Sequence, residues 1–152
     1  MKIKSLLLLS CLFFSCNSKN VFSETKDDFT ANQWPKKEVQ MFTFLIDDES
    51  KNYDFSIKIS HIYNYQFESV PIEVGITNPK GKTEILFFDL LIKDDKGKDK
   101  GDCLGDLCDL KQTFKKNVKL SKGTYTVHIS HRFNYDYLPN IICLGLNVDK
   151  TE

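Results

Sequence analysis

The chain has 152 residues, one domain's worth of polypeptide, and its 21 basic and 21 acidic side chains cancel. The basic pairs Lys36-Lys37 and Lys115-Lys116 are scattered among acids, whereas a phosphate-binding stripe needs its cations gathered on one face. Nucleic-acid binding is excluded on that ground.

The chain opens with a cationic MKIK, an apolar run over 5–14 (SLLLLSCLFF), and Ser15 before Cys16, after which it turns polar as NSKN. This is a secretory signal, and its apolar core is too short to remain in a bilayer as a helix. A small residue followed by cysteine resembles the lipobox of bacterial lipoproteins. The resemblance implies that residues 1–15 are removed and that Cys16 becomes the lipid-modified first residue. Leu8-Leu9-Ser10-Cys11 also fits the four-letter pattern but leaves too short an apolar core. The plain alternative is a secreted protein with an incidental cysteine. Several acyl chains on one cysteine anchor effectively, since each buried methylene contributes about 0.8 kcal/mol and a single chain is marginal.

Residues 16–37 are mostly polar and read as a lipidated N-terminus and tether, with Phe22 and Phe29 touching the body. Trp34-Pro35 marks the approach to the folded part, residues 38–150, with Trp34 as a large apolar plug. From there the period is two. Tyr53, Phe55, Ile57 and Ile59 alternate with polar neighbours, as do Tyr125, Val127 and Ile129, which predicts half-buried strands. VQMFTFLI (39–46) and ILFFDLLI (85–92) are apolar on both sides and read as more deeply buried strands. PIEVGIT (71–77), the stretch around Val118 and Leu120, and LGLNV (144–148) complete the set. Polar turns at 47–52, 78–82, 94–102 and 121–123 separate the runs. Short strands with polar turns and no helical period predict an all-β fold, a single β-sandwich of jelly-roll or immunoglobulin-like topology.

One phrase occurs twice: ISHIYNYQF at 59–67 and ISHRFNYDY at 129–137. If the two strands paired, His61 and His131 could begin a zinc site, but a third ligand is lacking. His128 stands an odd number of residues from His131 and points to the opposite face. The alternative is one strand-to-loop joint used twice at the rim of a sandwich, and that reading is preferred. Cys103 and Cys108 enclose a loop short enough to close as a disulfide in an exported protein, which leaves Cys143 over. Asp94, Asp95, Asp99 and Asp102 lie among lysines without EF-hand spacing and read as a solvated turn. No nucleophile elbow, P-loop or dinucleotide fingerprint occurs. No metal, no cofactor and no catalytic residue is expected.

The whole then resembles the gliding-motility lipoproteins of the GldH family of Bacteroidetes-type bacteria. The resemblance runs from the lipobox cysteine through NVF (20–22) and Trp34 to NYQFESVPIEVGITNPKGKTE (64–84). It continues through GDCLGDLCDLKQTFKKNV (101–118), KGTYTVHISHR (122–132) and LPNIICLGLNVDK (138–150), where Asn140 stands in place of the family's glycine. It implies a small cell-envelope lipoprotein needed for gliding, a surface motility linked with type IX secretion, and it brings no activity or cofactor to transfer.

Two functions follow. One is a non-catalytic structural or accessory component of the gliding machinery, anchored to the membrane at Cys16 and docking on gliding or secretion proteins of the envelope. The other is a glycan- or small-ligand-binding module. For either, Tyr63, Tyr65, Phe67, Phe133, Tyr135 and Tyr137 in the two aromatic loops are candidate contact residues. Rim packing of the core is the equal alternative for them. Asn-Ser-Lys-Asn after Cys16 carries no acidic cluster, which leans the location towards the periplasmic face of the outer membrane.

Overall fold

The computed structural model describes residues 19–151, and Cys16 lies outside them. The strands are β1 (Asn20–Lys26), β2 (Gln33–Pro35), β3 (Gln40–Ile46), β4 (Asn52–Ile62), β5 (Ser69–Thr77), β6 (Thr83–Leu91), β7 (Asp102–Leu104), β8 (Leu107–Lys119), β9 (Gly123–His131), β10 (Tyr137–Pro139) and β11 (Ile141–Lys150). The one helical element among the described residues is a 3-10 turn, Thr30–Asn32.

A first sheet runs β1-β11-β4-β8-β7 and a second runs β3-β9-β5-β6, with β2 and β10 forming a separate ribbon. All pairings are antiparallel. The eight long strands pair as a nest: β5 with β6 innermost, then β4 with β8, β3 with β9, and β1 with β11 outermost. One long hairpin has thus been rolled into two facing sheets, the arrangement of a jelly roll. Of the two topologies left open by the sequence, this is the one present. The innermost turn is written locally: Asn78 accepts hydrogen bonds from the amides of Lys80 and Lys82 through its side chain, each at 3.0 Å, and Gly81 supplies φ +78°.

The inward faces make one core. Phe44 of the second sheet lies 5.8 Å from Tyr125, 6.0 Å from Phe55 of the first sheet and 5.2 Å from Phe22. Phe44, Phe55 and Tyr125 are buried while Phe22 is partly so, and a fully buried side chain of this kind contributes about 1.5–3 kcal/mol through lost water contact.

Two expectations change. The sandwich starts at Asn20, inside the stretch expected to be tether: β1 pairs with β11 from Asn20–Asp149 to Lys26–Leu144, and Phe29 and Trp34 are buried. NVFSETK looks polar because an edge strand needs only its ladder and a few anchoring side chains, here Val21 and Phe22. Likewise β3 and β6 are not the more deeply buried strands. They are the edges of the second sheet, and Met41, Leu45, Ile85 and Phe87 point to solvent.

Candidate functional site

β4 and β9 belong to different sheets but run towards the same end of the sandwich, so both copies of Ile-Ser-His reach one rim. His61 and His131 are both buried there, each with its own partner. The Nδ1 of His61 lies 2.9 Å from the carbonyl of Ile62, and its ring is 5.2 Å from Tyr65. The Nε2 of His131 lies 3.1 Å from the carbonyl of Trp34, whose indole stands edge-on at 5.0 Å. The remaining ring nitrogen of each is buried without a hydrogen-bond partner, and at His131 this suits the lone pair of a neutral imidazole better than a proton. For His131, burial lowers the pKa below its ordinary value, with nearby Lys36 acting in the same direction and the Trp34 bond opposing.

The loops that follow the histidines meet in an aromatic chain. Tyr65 lies 5.6 Å from Phe67, Phe67 4.4 Å from Phe133, and Phe133 5.2 Å from Tyr135. Tyr65 is buried with its hydroxyl donated to the carbonyl of Pro139 at 2.9 Å, and burial pushes its pKa up. Phe67 and Phe133 pack against the core. Three of the six aromatic candidates are therefore rim packing. Tyr63, Tyr135 (64% exposed) and Tyr137 remain open to solvent, and the latter two line a shallow 320 Å³ cleft with Phe67, Asp136 and Pro139.

Cys103 and Cys108 stand opposite each other in the β7–β8 hairpin and are bonded, with Cα atoms 4.0 Å apart. Gly105 at φ +60° takes the first central position of that two-residue turn, where a type II′ hairpin requires glycine. Among the described residues, the one group of three His, Cys, Asp or Glu ligand atoms close enough to share an ion is Asp99, Cys103 and Cys108, and its two sulfurs are joined to each other. The acidic turn folds on itself. Asp94 accepts from the amides of Lys96 and Lys98, each at 2.9 Å, and these bonds lower its pKa. Asp99 accepts from the amide of Asn64 at 3.1 Å. Cys143 is a free thiol that donates to Ser60 Oγ on the outer face of the first sheet.

The two outer faces differ in kind. On the first sheet polar groups pair among themselves: Ser23 with Asn147, Ser56 with Thr113, Ser60 with Asp109, and Lys111 with Asp149. On the second, Met41 (54% exposed), Leu45, Ile85 and Phe87 (62%) flank a row of four threonines, Thr43, Thr126, Thr77 and Thr83, aligned across all four strands. Arg132 holds Glu73 at 2.8 Å and lies 5.1 Å over the Phe87 ring. Sequence reasoning missed this face. Its signal was the two-sided apolar run itself, which marks an exposed edge as well as a buried centre.

The GldH lipoprotein family matches over residues 20–148, nearly the whole described sandwich. A gliding motility lipoprotein GldH from Flavobacterium johnsoniae is 33% identical over 132 residues, covering 85% of this chain and 81% of that one. A gliding motility lipoprotein GldH homolog from Christiangramia forsetii is 28% identical over 151 residues, covering 93% of this chain and 90% of that one. No solved structure matches significantly. With the family's stretch coinciding with the jelly roll from its first strand to its last, the chain belongs to the GldH family of gliding-motility lipoproteins.

Proposed function

We propose that this protein is a non-catalytic accessory component of the gliding machinery, linked with type IX secretion, held by acyl chains on Cys16 to the periplasmic face of the outer membrane. The observation that carries the docking role is the contrast between the outer faces: polar groups satisfied on the first sheet, an open apolar and threonine face on the second. Large apolar side chains stand exposed on both edge strands of that sheet with threonines between them, and exposed apolar surface set among polar groups suits protein contacts. The exposed Tyr63, Tyr135 and Tyr137 extend the available surface at the rim. β1 begins at Asn20, so three residues separate it from Cys16, a reach of about 10 Å when extended. The end of the sandwich where β1 starts then sits on the lipid, and the aromatic rim points away from it.

Photocrosslinkers placed at Phe87, Met41 and Tyr135 test this in cells, with Lys58 on the outer face of the first sheet as the control. Gliding or secretion components should be captured at the first three positions, and Cys16→Ala should abolish the capture. Equal capture at Lys58, or only lipoprotein-handling factors at every position, would sink the reading. The cleft between Tyr135 and Tyr137 supports the second reading, a glycan-binding module, because paired phenol rings stack on sugar faces. Tyr135→Ala should then remove soluble-glycan binding by the purified protein.

A further inference from the structure

The edges of the two sheets, β6 and β8, face each other along one side of the sandwich, and the seam between them is closed for only part of its length. Gln112 of β8 stitches it, donating to the carbonyl of Asp89 and accepting from the amide of Leu91, both at 2.9 Å. Phe88 and Phe114 stack across it at 5.1 Å. Towards the end where β1 starts, the seam parts into a cavity of 610 Å³, floored by the buried Phe55, Ile76, Leu120 and Tyr125. That volume is in the range of small-ligand sites.

The wall of this cavity departs from regular strand. β8 shifts register against β4 between Val118 and Lys115, and again between Lys115 and Thr113. Asn117 lies in the left-handed region at φ +54°. Its amide donates to Asp54 Oδ1 at 2.7 Å and its side chain accepts from Asn52 Nδ2 at 2.8 Å, so the distortion is held by dedicated hydrogen bonds. Successive bulges bend a strand and re-aim its side chains, and backbone held in a disfavoured region gathers at functional sites. Here the re-aimed residues include cations. Lys82, Lys115 and Lys119 stand at the mouth against a single carboxylate, Glu84, which pairs with Lys115 at 2.6 Å.

From an apolar floor beneath a cationic mouth, we propose that this cavity binds a single-chain anionic amphiphile, a fatty acid or lysophospholipid, with its hydrocarbon inside and its carboxylate or phosphate among the lysines. The site stands on the cavity alone. Only the membrane as the source of the ligand rests on the anchor at Cys16, which would place this end of the molecule on the bilayer.

Native mass spectrometry of the lipoprotein, purified in neutral detergent, reads the site directly. The natural protein should retain one anionic amphiphile per chain, and its mass separates fatty acid from lysophospholipid. Added palmitate or lysophosphatidylglycerol should replace it, while the uncharged long-chain alcohol is retained about tenfold less, the worth of one charge-assisted hydrogen bond. Lys82→Glu with Lys119→Glu should lower retention about tenfold while leaving the floor intact, and Val118→Trp should abolish it by filling the space. No bound amphiphile, equal retention of the alcohol, or unchanged retention in the double lysine variant would overturn the proposal. None of these results depends on the partner-docking face, whose failure shows only in the crosslinking.

Discussion

The two ends of the sandwich are built on opposite plans. At the end away from β1, the long connections over 27–39, 63–68, 92–106 and 132–140 fold back over the core. The β2–β10 ribbon, Trp34, both buried histidines and the disulfide hairpin all lie there. At the other end three short turns, 47–51, 78–82 and 120–122, leave a cavity between the sheet edges. The difference teaches that the most conspicuous residues of this sequence, its Trp and its repeated His-aromatic phrases, close the fold. Plain lysines and turn residues occupy the end that stays open. Substitutions at the closed end should therefore cost stability, and those at the open end should cost ligand.

The largest effect tests the closure itself. Trp34 is fully buried, donates its indole N–H to the carbonyl of Glu38 at 2.9 Å, and packs on Phe29 and His131. Trp34→Ala should cost about 3–5 kcal/mol in urea unfolding. A cost under about 1 kcal/mol, typical of an exposed site, would show the ribbon to be a loose flap. Next comes the hairpin staple. Cys103 and Cys108 are 5 residues apart, and closing so small a loop restricts the unfolded chain by about 2 kcal/mol. Cys103→Ala should lower stability by about that amount and make the remainder insensitive to reductant.

A smaller effect separates His131 from the rest by pH. Protonating its Nδ1 would place an N–H in a buried site with no acceptor, so burial lowers its pKa below 6.5. The unfolded chain takes up the proton first as pH falls. The stability from the neutral folded imidazole is therefore complete above 6.5 and is lost as pH drops from there towards the lower folded value. The urea midpoint should fall between about pH 7.5 and about pH 5.5, and His131→Gln should flatten that slope. The carboxylates whose pKa values are lowered, Asp48, Asp94 and Asp149, act only below this window.

Much of this was legible in the sequence. Alternation gave the inward faces of β4 and β9, and the Asn-Pro-Lys-Gly-Lys turn announced the innermost hairpin. The paired phrase was readable as a joint because nothing completed a ligand set. Its two copies are similar in role without being identical in backbone: Asn64 takes φ +55°, while Asn134 does not enter that region. Asn140 sits at φ +59°, and asparagine is the side chain that best tolerates that region. What stayed hidden was long-range. β1 shows little apolar pattern because most of its hydrogen bonds depend on β11, more than a hundred positions away. An apolar run such as ILFFDLLI cannot tell a central strand from an open edge, since that depends on which strand is absent from one side. The cavity was invisible because bulges in β8 arise from its register with β4, which no local window contains.

The smallest expected effect bears most directly on the contrast between the ends. Lys82 is exposed at the 78–82 turn, and Lys119 reaches the carbonyl of Ser50 at 3.0 Å from the solvent side. Removing exposed cations away from the core changes stability within about 0.5 kcal/mol, so Lys82→Ala with Lys119→Ala should leave the urea midpoint nearly unchanged. If the open end were only a less tidy version of the closed one, the pair would instead unfold the protein in proportion to the contacts removed. A silent unfolding curve beside a lost amphiphile would show that the cavity is kept open by the bulged backbone of β8, with the lysines serving the ligand and contributing little to the fold.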